Sequence, residues 1–115
     1  MTTKIYHNPR CSKSRQTLQI LKDKGIEAEV VEYLKTPPDY DELSALLEML
    51  GLEPRDLMRK REAEYKTLNL ANPGLSHEQL IQAMVEHPKL IERPIVVNNG
   101  KAALGRPPEK VLELL

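Results

Sequence analysis

Apolar residues follow two different periods along this chain, and the two periods predict an α/β protein. Short runs of β-branched and aromatic residues predict strands at residues 4–7, 27–34, 95–97 and 101–104. Between them the apolar residues recur at helical spacing. The clearest predicted helix carries Leu43, Leu46, Leu47 and Leu50. The predicted order is therefore β-α-β, about four helices, and β-β-α.

Turn and cap residues separate these predicted elements. Asn8-Pro9 ends the first strand, Gly25 ends the first helix, Ser76 and Gln79 form a capping box, and Asn98-Asn99-Gly100 predicts a hairpin. A strand, a helix and a strand within about 30 residues have the size of a βαβ unit, which pairs its strands in parallel. We interpret the whole order as a thioredoxin-like α/β fold. We expect a single domain over residues 1–115, with a helical insertion at about 39–90.

Composition narrows the classes of function. The 115 residues include 17 acids and 17 bases, so the formal net charge is zero, and neither Phe nor Trp is present. A balanced charge disfavours binding to nucleic acid or to a membrane surface through bulk charge, and four tyrosines are a poor base-stacking surface. Apolar runs are short and the N-terminus has no secretory hydrophobic region. We therefore expect a cytoplasmic protein.

Cys11, the single cysteine, is the first candidate for chemistry. It follows a strand and a proline turn at the predicted start of a helix, where unpaired backbone N–H groups carry partial positive charge. Such a position stabilises a thiolate and suits a bound anion, and Arg10, Lys13 and Arg15 add positive charge nearby. The alternative is a small buried apolar cysteine.

Other candidates lie at the ends of strands. Arg93-Pro94 precedes the strand at 95–97, and Arg106-Pro107 follows the last strand. A guanidinium binds a tetrahedral oxyanion through two hydrogen bonds, although a single arginine is usually a solvated surface residue. His7 could support the same site or simply be satisfied at its strand end. Arg59-Lys60-Arg61 is, on local grounds, a set of cations at a helix C-terminus.

Several kinds of site are excluded by spacing. The sequence contains neither a glycine-rich dinucleotide loop nor a Walker lysine motif. Three scattered histidines and one cysteine do not match the spacing of zinc ligands, so we expect no metal. Ser14 occupies the fourth position of a possible Cys-x-x-Cys motif. An oxidised Cys11 therefore needs a thiol from outside the chain.

Five segments taken together resemble the glutaredoxin-coupled arsenate reductase (ArsC) family, and the likeness covers nearly the whole chain. The segments are Ile5-Tyr6-His7-Asn8-Pro9-Arg10-Cys11, Ser14-Arg15-x-Thr17-Leu18, Leu57-Met58-Arg59-Lys60, Arg93-Pro94-Ile95-Val96-Val97 and Gly105-Arg106-Pro107. Within that family the chain resembles a short bacterial subgroup that is YfgD-like. The resemblance implies a thioredoxin-like fold with a helical insertion, in agreement with the element order.

The resemblance also implies roles for individual residues. Cys11 corresponds to the nucleophile; Pro94 corresponds to a position that is cis in thioredoxin-like folds. The residues that support the thiolate are His7, Ser14 and Arg15. The three arginines that bind the oxyanion are Arg59, Arg93 and Arg106.

The implied activity is reduction of arsenate to arsenite, with glutathione as co-substrate and glutaredoxin as partner. No bound cofactor, nucleic acid or membrane is implied, and we expect a monomer. Ser12-Lys13 replaces the Gly-Thr of plasmid-type reductases, and the chain ends at Leu115, where those enzymes have an extension. One alternative is a glutathione-dependent thiol oxidoreductase with another substrate. Another is an Spx-like regulator that binds RNA polymerase, although Ser14 removes the Cys-x-x-Cys switch of those proteins.

Overall fold

A computed structural model describes residues 3–115, which form two compact units. The first unit contains the described residues up to Thr36 together with Arg93–Leu115, and the second unit is Pro37–Glu92. The helical insertion was expected at about 39–90, and the helical unit has nearly these bounds. That the whole chain forms one domain stays a prediction.

The first unit is built on a four-stranded sheet with the order β2-β1-β3-β4. The strands are β1 (Thr3–His7), β2 (Ala28–Glu32), β3 (Ile95–Asn98) and β4 (Lys101–Leu104). Helix α1 (Ser12–Asp23) connects β1 to β2, which pair in parallel, whereas β3 is antiparallel to both β1 and β4. This βαβ and ββ arrangement confirms the predicted thioredoxin-like fold.

The core of the first unit is aliphatic, as the composition predicts. Ile5 in β1, Leu21 in α1 and Val96 in β3 are fully buried and form one cluster with Val111. Val111 belongs to the C-terminal 3-10 helix, Pro108–Leu114, which packs against α1. Burial of these apolar side chains holds α1 against the sheet.

The hairpin between β3 and β4 has the predicted turn. Asn99 has a φ of 55° and Gly100 a φ of 74°, which are left-handed values at the two central residues. Such a turn matches the right-handed twist of the flanking strands. Asn98 therefore pairs with Lys101 at the tip, and Ile95 pairs with Leu104 at the base.

The second unit is helical but differs in detail from the predicted four helices. It contains α2 (Tyr40–Leu50), a 3-10 helix (Pro54–Leu57), α3 (Ala63–Thr67), α4 (His77–Glu86) and a 3-10 helix (Pro88–Leu90). The start of α2 is capped by the Asp39 side chain, and α4 begins with the predicted capping box of Ser76 and Gln79. Helix α3 was not predicted, because its five residues include no buried side chain. Within residues 3–115 no helix combines the length and apolar character needed to cross a membrane.

Candidate functional site

Cys11 lies at the start of α1, directly beyond the end of β1. It is the N-cap residue and has extended backbone angles, with φ −92° and ψ 123°. Its N–H donates to the Asn8 carbonyl at 3.0 Å, and the Asn8 side chain accepts from the Arg10 N–H, also at 3.0 Å. The side chain is partly exposed. This turn therefore holds the sulfur at the helix N-terminus while leaving it accessible.

The surroundings of the sulfur favour the thiolate. Burial raises the pKa of the Cys11 thiol, but the backbone N–H groups of Ser14 and Lys13 and the side chain of Arg93 lower it, and the net pKa lies below its ordinary value. A thiolate is the form of cysteine that attacks an electrophile. The structure therefore favours the predicted reactive cysteine over a buried apolar one.

Two arginines reach this sulfur from the β3–β4 hairpin. Arg93 precedes β3 and Arg106 follows β4, and pairing of the two strands brings the residues to the same end of the hairpin. The Nε of Arg106 donates to the Arg93 carbonyl at 2.9 Å, and its Nη2 lies 4.0 Å from the Cys11 Sγ. The Arg93 side chain lies near enough to the same sulfur to lower the pKa of the thiol. Both arginines are therefore part of the cysteine site.

The Nε of Arg93 is buried and has no hydrogen-bond partner within the described part of the chain. A buried donor without a partner costs free energy, so such groups usually mark a position where a ligand or water bonds. Both guanidinium groups are positively charged donors with no acceptor atom of their own. The site can therefore bind an anion next to the nucleophile.

His7 is linked to the first turn of α1 through Ser14. The Nδ1 of His7 lies 2.6 Å from the Ser14 Oγ, which also accepts from the Asn8 N–H at 3.1 Å. Both side chains are buried. Burial is the main cause of a His7 pKa below its usual 6.5, with Arg15 and Lys22 lowering it and Glu32 raising it. The pair fixes the Ser14 N–H that stabilises the Cys11 thiolate.

Arg15 contacts the loop rather than the sulfur. Its Nη1 donates to the Pro9 carbonyl at 2.9 Å, and the residue is exposed. This hydrogen bond supports the turn that precedes Cys11. If Arg15 supports the thiolate as predicted, it does so indirectly, by holding the loop before Cys11 in position.

Arg59 belongs to the second unit. Its N–H donates to the Leu90 carbonyl at 2.7 Å, and its guanidinium forms an ion pair with Glu62 and lies 3.8 Å from a carboxylate oxygen of Glu92. The side chain is 29% exposed, so the charge remains partly accessible to solvent. Its role as a third oxyanion ligand stays a prediction.

Two features of the site cannot be derived from the local sequence pattern alone. The Arg93-Pro94 peptide is cis, as the resemblance implies, but so is Arg106-Pro107, which was not predicted. The backbone of Gly105 lies against Thr17 and Pro94. Neither a cis peptide nor a contact between distant residues follows from local residue preferences.

A separate groove of about 760 Å³ lies in the second unit. Leu68, Leu70 and Ala83 provide apolar walls, and Glu78 and Glu86 contribute carboxylates. No cysteine lines this groove. We therefore assign the nucleophilic chemistry to the Cys11 site and not to this groove.

The chain is similar to known proteins in both sequence and structure. The family model described as the ArsC family matches residues 6–114. The uncharacterized protein YfgD of Escherichia coli strain K12 is 64% identical over 97% of this chain and 95% of that protein. An arsenate reductase of Neisseria meningitidis is 53% identical over 97% of each chain.

A solved structure agrees with the match to the ArsC family model. The arsenate reductase from Vibrio cholerae superposes with a TM-score of 0.98 at 57% identity, covering 100% of this chain and 98% of that one. The fold, the family model and the full-length likeness all agree with the predicted resemblance, including its YfgD-like relative. The chain therefore belongs to the ArsC family.

Proposed function

We propose that this protein reduces arsenate to arsenite, with Cys11 as the nucleophile and with glutathione and glutaredoxin supplying the electrons. The observation that carries the proposal is the pair of guanidinium groups, from Arg93 and Arg106, beside a stabilised thiolate. Arsenate is a tetrahedral oxyanion with about two negative charges at neutral pH. Fixed, charge-assisted donors both bind such an ion and stabilise the charge that develops on its oxygens.

The first step is attack of the Cys11 thiolate on arsenic. A sulfur–arsenic bond forms and one arsenate oxygen leaves, taking up protons to become water. Arg93 and Arg106 would hold the remaining oxygens and keep the arsenic in line with the sulfur. Arsenic is still in its +5 state at this point, so the step binds and activates the substrate without any transfer of electrons.

Reduction requires a thiol that this chain lacks, because Cys11 is its single cysteine. Glutathione thiolate attacks the Cys11 sulfur, the sulfur–arsenic bond breaks, and its electron pair stays on arsenic, which leaves as arsenite. Glutaredoxin then attacks the glutathione sulfur of the mixed disulfide and releases the Cys11 thiolate. A second glutathione restores glutaredoxin. Arsenate and two glutathiones thus give arsenite, glutathione disulfide and one water.

The surroundings of this reaction are part of the same proposal. A lone catalytic thiol must return to its reduced form after each turnover, which suits the reducing cytoplasm. We propose that the enzyme acts there as a monomer, with no bound cofactor. Arg59 would be a third oxyanion ligand, and an Arg59→Gln variant tests this through a weaker affinity for arsenate.

The test is arsenate-dependent NADPH oxidation in an assay coupled through glutaredoxin, glutathione and glutathione reductase. We expect activity in the wild type and none in Cys11→Ser, which keeps the arginines and should still bind the anion. Full activity of Cys11→Ser would refute the mechanism. A wild type with a reactive thiol but no arsenate-dependent turnover would instead favour a glutathione-dependent oxidoreductase with another substrate.

A further inference from the structure

Gly105 lies where no larger residue fits. A Cβ atom built on it would lie 2.5 Å from the Thr17 Oγ1, 3.2 Å from the Thr17 Cγ2 and 2.7 Å from the Pro94 Cγ. Non-bonded heavy atoms at their optimal separation are about 3.5–4.0 Å apart. Space, and not an unusual backbone angle, therefore requires glycine at this position.

Thr17 presents a fixed surface to that glycine. It is fully buried in α1, and its Oγ1 donates to the Lys13 carbonyl at 2.8 Å, one turn earlier in the same helix. The branched side chain has few rotamers available in a helix. Thr17 therefore cannot easily turn away to make room for a larger neighbour.

The contact joins the helix that begins after the nucleophile to the loops that carry the arginines. Gly105 directly precedes Arg106, and its N–H donates to the Pro94 carbonyl at 3.0 Å. Arg106 in turn donates to the carbonyl of Arg93. The position of the Gly105 backbone against α1 therefore sets how closely Arg106 approaches Cys11.

We propose that Thr17 and Gly105 are positioning residues, whose direct contact holds the Arg106 guanidinium at the sulfur of Cys11. The inference rests on the proposed function, because that function gives the guanidinium its task. An alanine at this position would bring its Cβ to 2.5 Å from the Thr17 Oγ1, and relieving that clash requires a displacement of about 1 Å. The Arg106 Nη2 is already 4.0 Å from the Sγ, so a retreat of that size removes the interaction. Misplacement of about 1 Å can lower a catalytic rate about 100-fold.

The main experiment compares Gly105→Ala with the wild type. Protection of Cys11 from iodoacetamide by arsenate gives the affinity for the anion, and the coupled assay gives kcat and KM. We expect Gly105→Ala to weaken protection at least tenfold and to lower kcat/KM by about 100-fold. Gly74→Ala is the matched control, because its Cβ would meet only the Asn72 side chain, at 3.3 Å or more. Protection in Gly105→Ala equal to that of the wild type would overturn the proposal.

Two further variants test the contact itself. Thr17→Ala removes both atoms of Thr17 that would clash with the new Cβ and leaves only the approach to the Pro94 Cγ at 2.7 Å. The double variant Thr17→Ala/Gly105→Ala should therefore regain part of the lost affinity, at least threefold. In an Arg106→Gln background, Gly105→Ala should add less than a twofold loss, because its effect acts through Arg106. A full additional loss in that background would refute the positioning role. No recovery in the double variant would assign the clash to Pro94 and refute the role of Thr17.

The design separates this proposal from the proposed function. If Gly105→Ala fails to fold, Thr17→Ser is compared with Thr17→Ala instead. Serine keeps the hydroxyl group and its hydrogen bond to the Lys13 carbonyl, whereas alanine loses both. We expect protection to be preserved in the first and weakened at least threefold in the second, and equal values would overturn the inference. A wild type that binds arsenate without reducing it, with protection still dependent on Gly105, would refute the reductase and retain the positioning role.

Discussion

Replacement of Ser14 by alanine isolates the hydrogen bonds that hold the first turn of α1. The Ser14 Oγ is within hydrogen-bond distance of two groups, the His7 Nδ1 at 2.6 Å and the Asn8 N–H at 3.1 Å. Alanine has nearly the same size, so it creates little cavity. It leaves a buried imidazole nitrogen without its partner and removes the acceptor of a half-buried N–H.

The expected loss of stability follows from these two groups. An orphaned buried polar atom costs about 1–3 kcal/mol, and a lost hydrogen bond about 1 kcal/mol more, so Ser14→Ala should lower the free energy of unfolding by about 2–4 kcal/mol. In urea, with a dependence of about 2 kcal/mol per molar, the midpoint should fall by about 1–2 M. The measurement is equilibrium unfolding followed by circular dichroism.

Ser12→Ala is the matched control for this prediction. Ser12 lies in the same turn, is exposed, and its side chain does not cap the helix. We expect its free energy of unfolding to stay within about 0.5 kcal/mol of the wild-type value, as for most surface substitutions. Equal midpoints for the two alanine variants would refute the reasoning, since Ser14 would then carry no more free energy than a solvated serine.

Three further predictions concern charge and backbone. The rate of Cys11 alkylation should rise with pH around a midpoint below the ordinary pKa of a cysteine thiol, and Arg93→Gln should move that midpoint upward; an unmoved midpoint would exclude Arg93 as a source of thiolate stability. Because the folded state lowers the His7 pKa, it binds fewer protons than the unfolded state just below pH 6.5. Stability from neutral His7 is therefore complete above about pH 6.5 and declines as the pH falls through the lower folded pKa. Unfolding free energies measured between pH 7 and 5 should fall less steeply in His7→Asn, and an identical slope would contradict this. Gly100→Ala should cost about 1 kcal/mol in thermal unfolding because of the positive φ, whereas Ala102→Gly at a strand position should leave the turn intact; no loss in Gly100→Ala would contradict the turn assignment.

The elements that follow from local chemistry were predicted well. The β3–β4 hairpin follows from Asn99-Gly100, and the start of α4 follows from Ser76 and Gln79, because each signal acts within a few residues. The second strand was predicted to reach Leu34 but ends at Glu32. The Glu32 carbonyl accepts hydrogen bonds from the N–H groups of Lys35 and Thr36, so the chain turns directly after Glu32.

The site was predictable in its residue types but not in its contacts. The position of Cys11 at a helix start and of Arg93 and Arg106 at strand ends could be derived from the sequence. Arg59 could be distinguished from its basic neighbours only through the family resemblance. The contact of Thr17 with Gly105 joins residues 88 positions apart. Such contacts depend on the packed fold, and no periodicity or propensity encodes them.

The distance between Arg93 and Arg106 does not depend on the number of residues in the turn of the hairpin that carries them. Their spacing depends on the paired residues at the base, Ile95 with Leu104, whereas Asn99 and Gly100 lie at the opposite, exposed end. Extra residues inserted between Asn99 and Gly100 should therefore leave the ladder in register, since exposed loop tips tolerate insertion well. The same tip offers a place to attach a fluorescent or affinity tag without altering Arg93 and Arg106 at the base of the hairpin.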